Sequence, residues 1–314
     1  IISSNKLAYD AFARGNVKLE TKRLTEVFRD LSIHEGFRKA IENKKSTELK
    51  FEFSKRFYEV KISSFQDKAI GIFKDITRLE QLENVRQEFL SNVSHELRTP
   101  LTSILAFVET LEDGAIDDKA NNQRFLAVIR KNAERMHLLI DDIAELSSIE
   151  SGKTTIEPRE IKLASLVDEL FTNLSAKATA RNVKLVHKIA PEKRVWADKM
   201  RLEQVLTNLI DNAIKFNREN GGVIINCEEK DQTDLINVTD EGEGISSEHL
   251  PRIFERFYRT DRARSREIGG TGLGLAIVKH LIRLHGGEVS VTSTLGQGST
   301  FIIQLPQKTH ENLS

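Results

Sequence analysis

Phe89-Leu90-Ser91-Asn92-Val93-Ser94-His95-Glu96-Leu97-Arg98-Thr99-Pro100-Leu101-Thr102-Ser103-Ile104 is the stretch from which the rest of the chain can be read. Within it and just beyond, Leu90, Val93, Leu97, Leu101, Ile104, Val108 and Leu111 recur at three- and four-residue steps, the spacing of one buried helical face. His95 lies off that face. At about 100° per residue it sits about 160° round the helix from Leu97, with Arg98, Thr99 and Thr102 close to it. A histidine in a polar, solvent-facing stripe is the expectation. Pro100 lacks an N–H, which leaves the Glu96 carbonyl without its helical donor and disfavours helical geometry at Thr99, so a bend or loosened turn is expected beside His95. Glu96 is a candidate acceptor for one ring N–H, leaving the other nitrogen as nucleophile. Adjacent helix residues do not face each other, so that pairing needs the bend or a favourable rotamer. Without such neighbours a lone histidine is ordinarily a solvated side chain with no chemistry.

Ser94-His95-Glu96-Leu97-Arg98-Thr99-Pro100-Leu101 resembles the phospho-acceptor box of two-component sensor histidine kinases. The resemblance implies that His95 is phosphorylated from ATP and that the phosphoryl group then passes to an aspartate in the receiver domain of a response regulator. It also implies phosphatase activity on that regulator, with Thr99, one turn beyond His95, positioning a water. The alternative for Thr99 is a helix-bend residue ahead of Pro100.

With 314 residues the chain can form two or three domains with proper cores. Lys+Arg and Asp+Glu are both 47, so charge makes no case for nucleic acid or an anionic membrane as the main partner. The single Cys227 rules out an intramolecular disulfide and suits a reducing compartment. No run of about 18 apolar residues occurs. The chain opens at Ile1 rather than a methionine, which reads as a fragment of something longer. The fragment is expected in the cytoplasm, and any anchor in a bacterial inner membrane would lie in upstream segments.

Residues 1–77 read as a small α+β module. Helical patterning around Leu24, Val27, Phe28 and Leu31 precedes strand-like runs at Glu48–Phe53, Tyr58–Ile62 and Ala69–Phe73. Asp75-Ile76-Thr77 resembles the end of a PAS sensor domain, and Ile1–Ala8 resembles such a domain entered after its first strand. A truncated PAS fold is the inference. With no cysteine here, and His34 more in keeping with structure than ligation, no haem or flavin is expected.

Residues 78–152 read as a helical hairpin. Leu79, Leu82, Val85 and Phe89 have coiled-coil-like spacing and run into the His95 helix. Asp113-Gly114 ends it; Asp117 or Asp118 can cap a second helix carrying Phe125, Ile129, Met136, Ile140 and Ile143, which Gly152 stops. Two amphipathic helices cannot bury their stripes alone. A dimeric four-helix bundle is one solution and a contact with another protein the other; the resemblance implies the homodimer.

Residues 153–308 change in composition, and twelve of the 17 glycines lie beyond Asn220, where they mark loops that approach something closely. The helical stretch 199–216 carries Asn208, Asn212 and Lys215 on a polar face. Asp240-Glu241-Gly242-Glu243-Gly244 follows a strand ending Ile236-Asn237-Val238-Thr239, Phe254–Arg259 comes next, and after an arginine-rich stretch to Arg266, Gly269-Gly270-Thr271-Gly272-Leu273-Gly274-Leu275 opens a helix. The last segment lacks the Lys-Ser/Thr of a P-loop and the regular strand-helix units of a dinucleotide fold. In order, with Gly296-Gln297-Gly298-Ser299 at the end, these stretches resemble the N, G1, F, G2 and G3 boxes of the GHKL-type ATP-binding domain, an α/β sandwich.

Carried over residue by residue, that resemblance implies ATP and Mg²⁺ as cofactors. Asn212 would hold the metal, with Asn208, Lys215 and Phe216 at the nucleotide. Asp240 would read the adenine amino group, and Gly242 and Gly244 would let the backbone pass the base. Gly270, Thr271, Gly272, Leu273 and Gly274 would admit phosphates at a helix N-terminus, Arg259 would steady the transferring phosphoryl group, and 260–270 would form a lid. The whole is closest to the phosphate-regulon type of sensor kinase. An ATPase motor or chaperone on the same nucleotide fold would carry a carboxylate base four residues before the metal-binding asparagine; here that position is Asn208, which cannot act as a base. A non-enzymatic ATP-binding scaffold is the other rival, and the intact His95-Glu96 pair with Asn212 argues against it.

Overall fold

Ile1–Ser91 and Asn92–Ser314 form two separate units in the computed structural model, which describes residues 1–13, 18–260 and 270–307. In the first, α1 (Lys6–Phe12) and α2 (Leu24–Val27) precede α3 (Leu31–Asn43) and an antiparallel sheet of β1 (Thr47–Phe53), β2 (Arg56–Phe65) and β3 (Lys68–Asp75). The three strands fall where two alternating runs and a third apolar run placed them. The principal helix does not. Helical patterning was expected around Leu24–Leu31, yet α2 holds only four residues and Leu31, 78% exposed, merely opens α3. The Asp30 side chain caps α3 by accepting the Ser32 amide at 2.8 Å. Its buried side carries Ile33, Gly36 and Ala40, with Phe37 packed against the same core. A Cβ on Gly36 would lie 2.7 Å from Ile62 Cδ1, so a larger residue here would have to push the Ile62 side chain aside for helix and sheet to stay this close.

The core of this unit is aromatic. Phe12 packs at 4.9 to 5.3 Å, centroid to centroid, against Phe28, Phe53, Tyr58 and Phe73, while Phe28 stacks on Phe73 at 5.4 Å. At the exit of β3, Asp75 Oδ1 accepts both the amide and the hydroxyl of Thr77, and Thr77 Oγ1 accepts the Phe57 amide at 2.9 Å. Those Thr77 bonds, hydroxyl first, hold the Asp75 carboxyl below its ordinary range. The Asp75-Ile76-Thr77 motif thus ties the sheet to the first turn of α4 (Thr77–Glu112).

Pro100 lies inside α4, and Thr99 Oγ1 donates back to the His95 carbonyl at 3.2 Å. Gly114, at φ +107°, ends the hairpin's first arm. The second, α5 (Asn122–Glu150), is not capped by Asp117 or Asp118. Asp118 instead closes a turn, accepting from the Ala120 amide and the Asn121 side chain, and Asn121 stands at the N-cap. The arms meet through Phe107 on Phe125 at 5.5 Å and through Asn132, which donates to Ser103 at 3.3 Å. Gly152, at φ +70°, follows the end of α5 as expected.

The remainder is an α/β sandwich. α6 (Leu163–Ala180), α7 (Lys199–Lys215) and α8 (Gly274–Leu284) accompany a five-stranded sheet ordered β5 (Lys184–His187), β7 (Gly222–Lys230), β8 (Thr233–Asp240), β10 (Gly298–Pro306), β9 (Glu288–Thr294). β5 pairs parallel to β7 and the other neighbours are antiparallel. β4 (Arg159–Lys162) and β6 (Arg194–Ala197) pair separately. α7 buries Leu202, Val205, Leu206, Leu209, Ile210, Ala213 and Ile214, the face its spacing announced, which leaves Asn208, Asn212 and Lys215 to one side. Buried His285 accepts the Asp198 amide on Nε2 at 3.0 Å and pairs through Nδ1 with the Leu281 carbonyl, joining the end of α8 to the N-cap of α7. Cys227, half-buried on β7, has its thiol pushed up to about 11 by burial and by nearby Asp234.

Gly298 has φ +95°, and a Cβ there would fall 2.0 Å from the Asp240 carbonyl oxygen. Gly298→Ala is expected to cost about 3 kcal/mol in chemical denaturation, the sum of a left-handed backbone and a clash that only main-chain movement relieves. Among the described residues no helix is long and apolar enough to cross a membrane.

Candidate functional site

His95 is exposed on α4, as its position off the apolar face predicted. The pairing expected between its ring and Glu96 is absent. The Glu96 carboxylate instead takes Arg135 of α5 at 2.9 Å, and Arg259 stands 3.9 Å from the same oxygen. A residue and its next neighbour diverge on a helix, so Glu96 points to the other arm of the hairpin. Arg135, separated from Glu96 by 39 positions, left no signal in the sequence without knowledge of the hairpin register. Arg259 also donates to the Gly270 carbonyl. This one guanidinium thereby links the glycine-rich segment to the residue beside His95.

Asn208, Asn212 and Lys215 project half-buried from α7. Lys215 Nζ lies 2.5 Å from Asp211, whose other oxygen takes Lys177 at 2.8 Å. Burial pushes the Asp211 carboxyl up, but the two lysines outweigh it and leave it below the ordinary range. Asp240, 6% exposed at the end of β8, accepts the Gly242 amide at 2.8 Å. Burial raises its carboxyl above the usual range against the pull of the Gly242 and Ser299 amides. A carboxylate has about four acceptor positions, so capacity remains for an incoming amino group.

The glycines were expected to make room for a ligand; the structure gives several of them neighbours within the chain. A Cβ on Gly242 would sit 2.2 Å from the carbonyl oxygen of Phe216, the C-cap of α7, and one on Gly244 would sit 2.1 Å from the Thr294 carbonyl oxygen. Gly272, at φ +76°, abuts Phe257, itself at φ +61° and donating its amide to the Gly272 carbonyl at 2.8 Å. A Cβ on Gly274 would come 3.2 Å from Asn208 Oδ1. Among the described residues, nothing lies within 4 Å of a Cβ placed on Gly270. Thr271 and buried Leu273 complete the approach to α8, whose first turn has no side-chain cap and therefore suits an anion. Of the proposed lid at 260–270, positions 261–269 lie outside the described residues.

Among the described residues no three His, Cys, Asp or Glu side chains converge on a metal position. Asn212 offers a hard oxygen donor, which fits Mg²⁺ that keeps waters and takes its remaining ligands from phosphates rather than from a protein cage.

Sequence reading missed the acidic face of α5. Thr271 donates to Asp142 at 2.5 Å, Arg201 and Gln204 take Glu145, and Arg256 and His280 take Glu150. Charges spaced along a helix read as a solvated surface, and nothing local distinguishes these.

Comparison with known proteins gives two family matches. Residues 85–152 match the His Kinase A (phospho-acceptor) domain, and 197–309 match the histidine kinase-, DNA gyrase B-, and HSP90-like ATPase. Sensor protein SrrB of Staphylococcus aureus is 33% identical over 317 residues, covering 98% of this chain and 52% of the relative. The chain thus spans about half the length of the curated relatives it matches. The structure of histidine kinase ThkA in complex with response regulator protein TrrA is 26% identical, with TM-score 0.59, covering 98% of this chain and 92% of that one. Full-length ShkA in complex with AMPPNP is 29% identical with TM-score 0.54, covering 71% of this chain and 46% of that one.

Proposed function

Because the chain belongs to the two-component sensor histidine kinases, we propose that it moves the γ-phosphoryl group of ATP to His95 and from there to an aspartate in the receiver domain of a response regulator. The observation that carries this reading is Arg259, bonded to the Gly270 carbonyl and 3.9 Å from Glu96, next in sequence to His95. A cation so placed can meet charge developing on a phosphoryl group in transit between the two segments.

In this mechanism a neutral His95 nitrogen attacks the γ-phosphorus, ADP departs, and the proton on the other ring nitrogen passes to a base. Glu96 is that base once it turns from Arg135. Asp240 accepts from the adenine amino group, Asn208 and Lys215 face the phosphates, and Thr271 with the amides opening α8 holds them. Mg²⁺ on Asn212 would neutralise phosphate charge. Thr99, exposed one turn beyond His95, is suited to place a water for attack on a regulator's phospho-aspartate.

A homodimer is part of the proposal. Leu101 and Leu105 on α4 and Leu126, Leu138 and Ile140 on α5 are 45 to 62% exposed in the single chain, an apolar surface that a second hairpin would cover. The division proposed is a sensor at 1–77, a dimerisation and acceptor domain at 78–152 and an ATP-binding domain at 153–308.

Incubation with γ-labelled ATP tests the reading. Acid-labile, base-stable label on the protein is the expected result. Free phosphate without label would indicate an ATPase, and neither product a scaffold.

A further inference from the structure

Three carboxylates of α5, Asp142, Glu145 and Glu150, grip the domain that carries Asn212 and Asp240. Two of these contacts are anchors: Glu145 takes Arg201 at 2.9 Å and the Gln204 amide, and Glu150 takes Arg256 and His280. The third engages a group assigned above to phosphate. Thr271 Oγ1 gives its single proton to Asp142 Oδ2 at 2.5 Å while accepting the Leu273 amide at 3.2 Å. Lys215 is near enough to favour the charge on Asp142, and Arg259 stands 3.9 Å from Glu96, a carboxylate of α4. Hydroxyl, ammonium and guanidinium donors meet a carboxylate oxygen and a phosphate oxygen alike, through short charge-assisted bonds.

We propose that Asp142 stands in for a phosphate oxygen at Thr271, so that docking on α5 and binding of a nucleoside triphosphate compete for one hydroxyl. The proposal rests on the reading of the chain as ATP-binding and adds to it an internal competitor. The clasp is shallow. Asp142 is half-buried, burial raises its carboxyl above the ordinary range, and Glu145 and Asp141 add to that against Thr271 and Lys215. Once a phosphate takes the Thr271 proton, Asp142 is left a desolvated charge lacking its hydroxyl donor, and its return to water favours release of α5. A coupling of this kind typically changes affinity several-fold to a hundredfold.

The test uses the whole chain. Calorimetric titration with Mg-AMPPNP is expected to show about fivefold or greater tightening for Asp142→Ala, with Asp142→Asn intermediate because its amide oxygen still accepts from Thr271. In the unaltered protein, hydrogen exchange over 139–150 is expected to rise when the nucleotide is added, a readout that depends on no variant. Unchanged or weaker affinity in Asp142→Ala, or exchange over 139–150 indifferent to nucleotide, overturns the competition. Absence of binding by unaltered chain and variants alike removes the ATP reading itself, an outcome distinct from binding that does not respond to Asp142.

Discussion

His95→Gln is expected to abolish transfer of label from γ-labelled ATP to the protein, a loss beyond about a thousandfold, while Mg-AMPPNP affinity stays within about twofold. Glutamine keeps the helix and the polarity of an exposed position but has no nitrogen able to carry the phosphoryl group. The nucleotide affinity should hold because His95 is on α4, whereas Asn208, Asn212, Asp240 and Thr271 belong to the sandwich and its loops. Phosphotransfer and calorimetry on the same preparation check both halves. A comparable fall in nucleotide binding would move His95 from acceptor to structural residue.

Asp240→Asn is expected to weaken ATP binding by about a hundredfold or more with the fold retained, as judged by thermal melting. An asparagine presents at least one N–H where Asp240 now accepts the amides of Gly242 and Ser299, and it loses acceptor capacity for an adenine amino group. Inosine triphosphate, which lacks that amino group, provides the control: discrimination against it should be strong in the unaltered chain and small in the variant. The pH dependence follows. Binding an amino donor favours the carboxylate, and burial has raised the pKa of Asp240 in the free protein. Affinity is therefore full above that raised pKa and falls as acid protonates the group, starting at a higher pH than for an ordinary aspartate. An affinity independent of pH through the acid range would argue that Asp240 does not touch the base.

What the sequence disclosed depends on how far apart the interacting residues lie. The His95 helix, the apolar face of α7 and the strands β1 to β3 are set by neighbours within two turns or one strand and appeared where the local pattern placed them, although Leu90 and Leu101 of the His95 stretch are exposed in the single chain. α3 was placed too early, around Leu24, Val27 and Phe28, although Ile33, Phe37 and Ala40 carry the helical period inside α3 itself. Neither Asp117 nor Asp118 caps α5: the Asp118 carboxylate closes its own turn by accepting from Ala120 and Asn121, and Asn121 at the N-cap position makes no side-chain capping bond. Glycines were visible and their reasons were not: Gly242 and Gly244 are demanded by carbonyls of Phe216 and Thr294, the second 50 positions away. The contact from Asp142 to Thr271 spans 129 positions, and no periodicity encodes a distance of that kind.

Cys227 offers a practical opening. With its thiol raised to about 11, only about one molecule in ten thousand carries a thiolate at pH 7, and half-burial slows reagents further. Maleimide or methanethiosulfonate chemistry should therefore pass over the native thiol and react with cysteines introduced on exposed helix surfaces. A fluorophore pair or two spin labels, one on the outer side of α5 and one on α6, could then follow the separation of hairpin and sandwich in single molecules without first stripping the chain of its own sulfur.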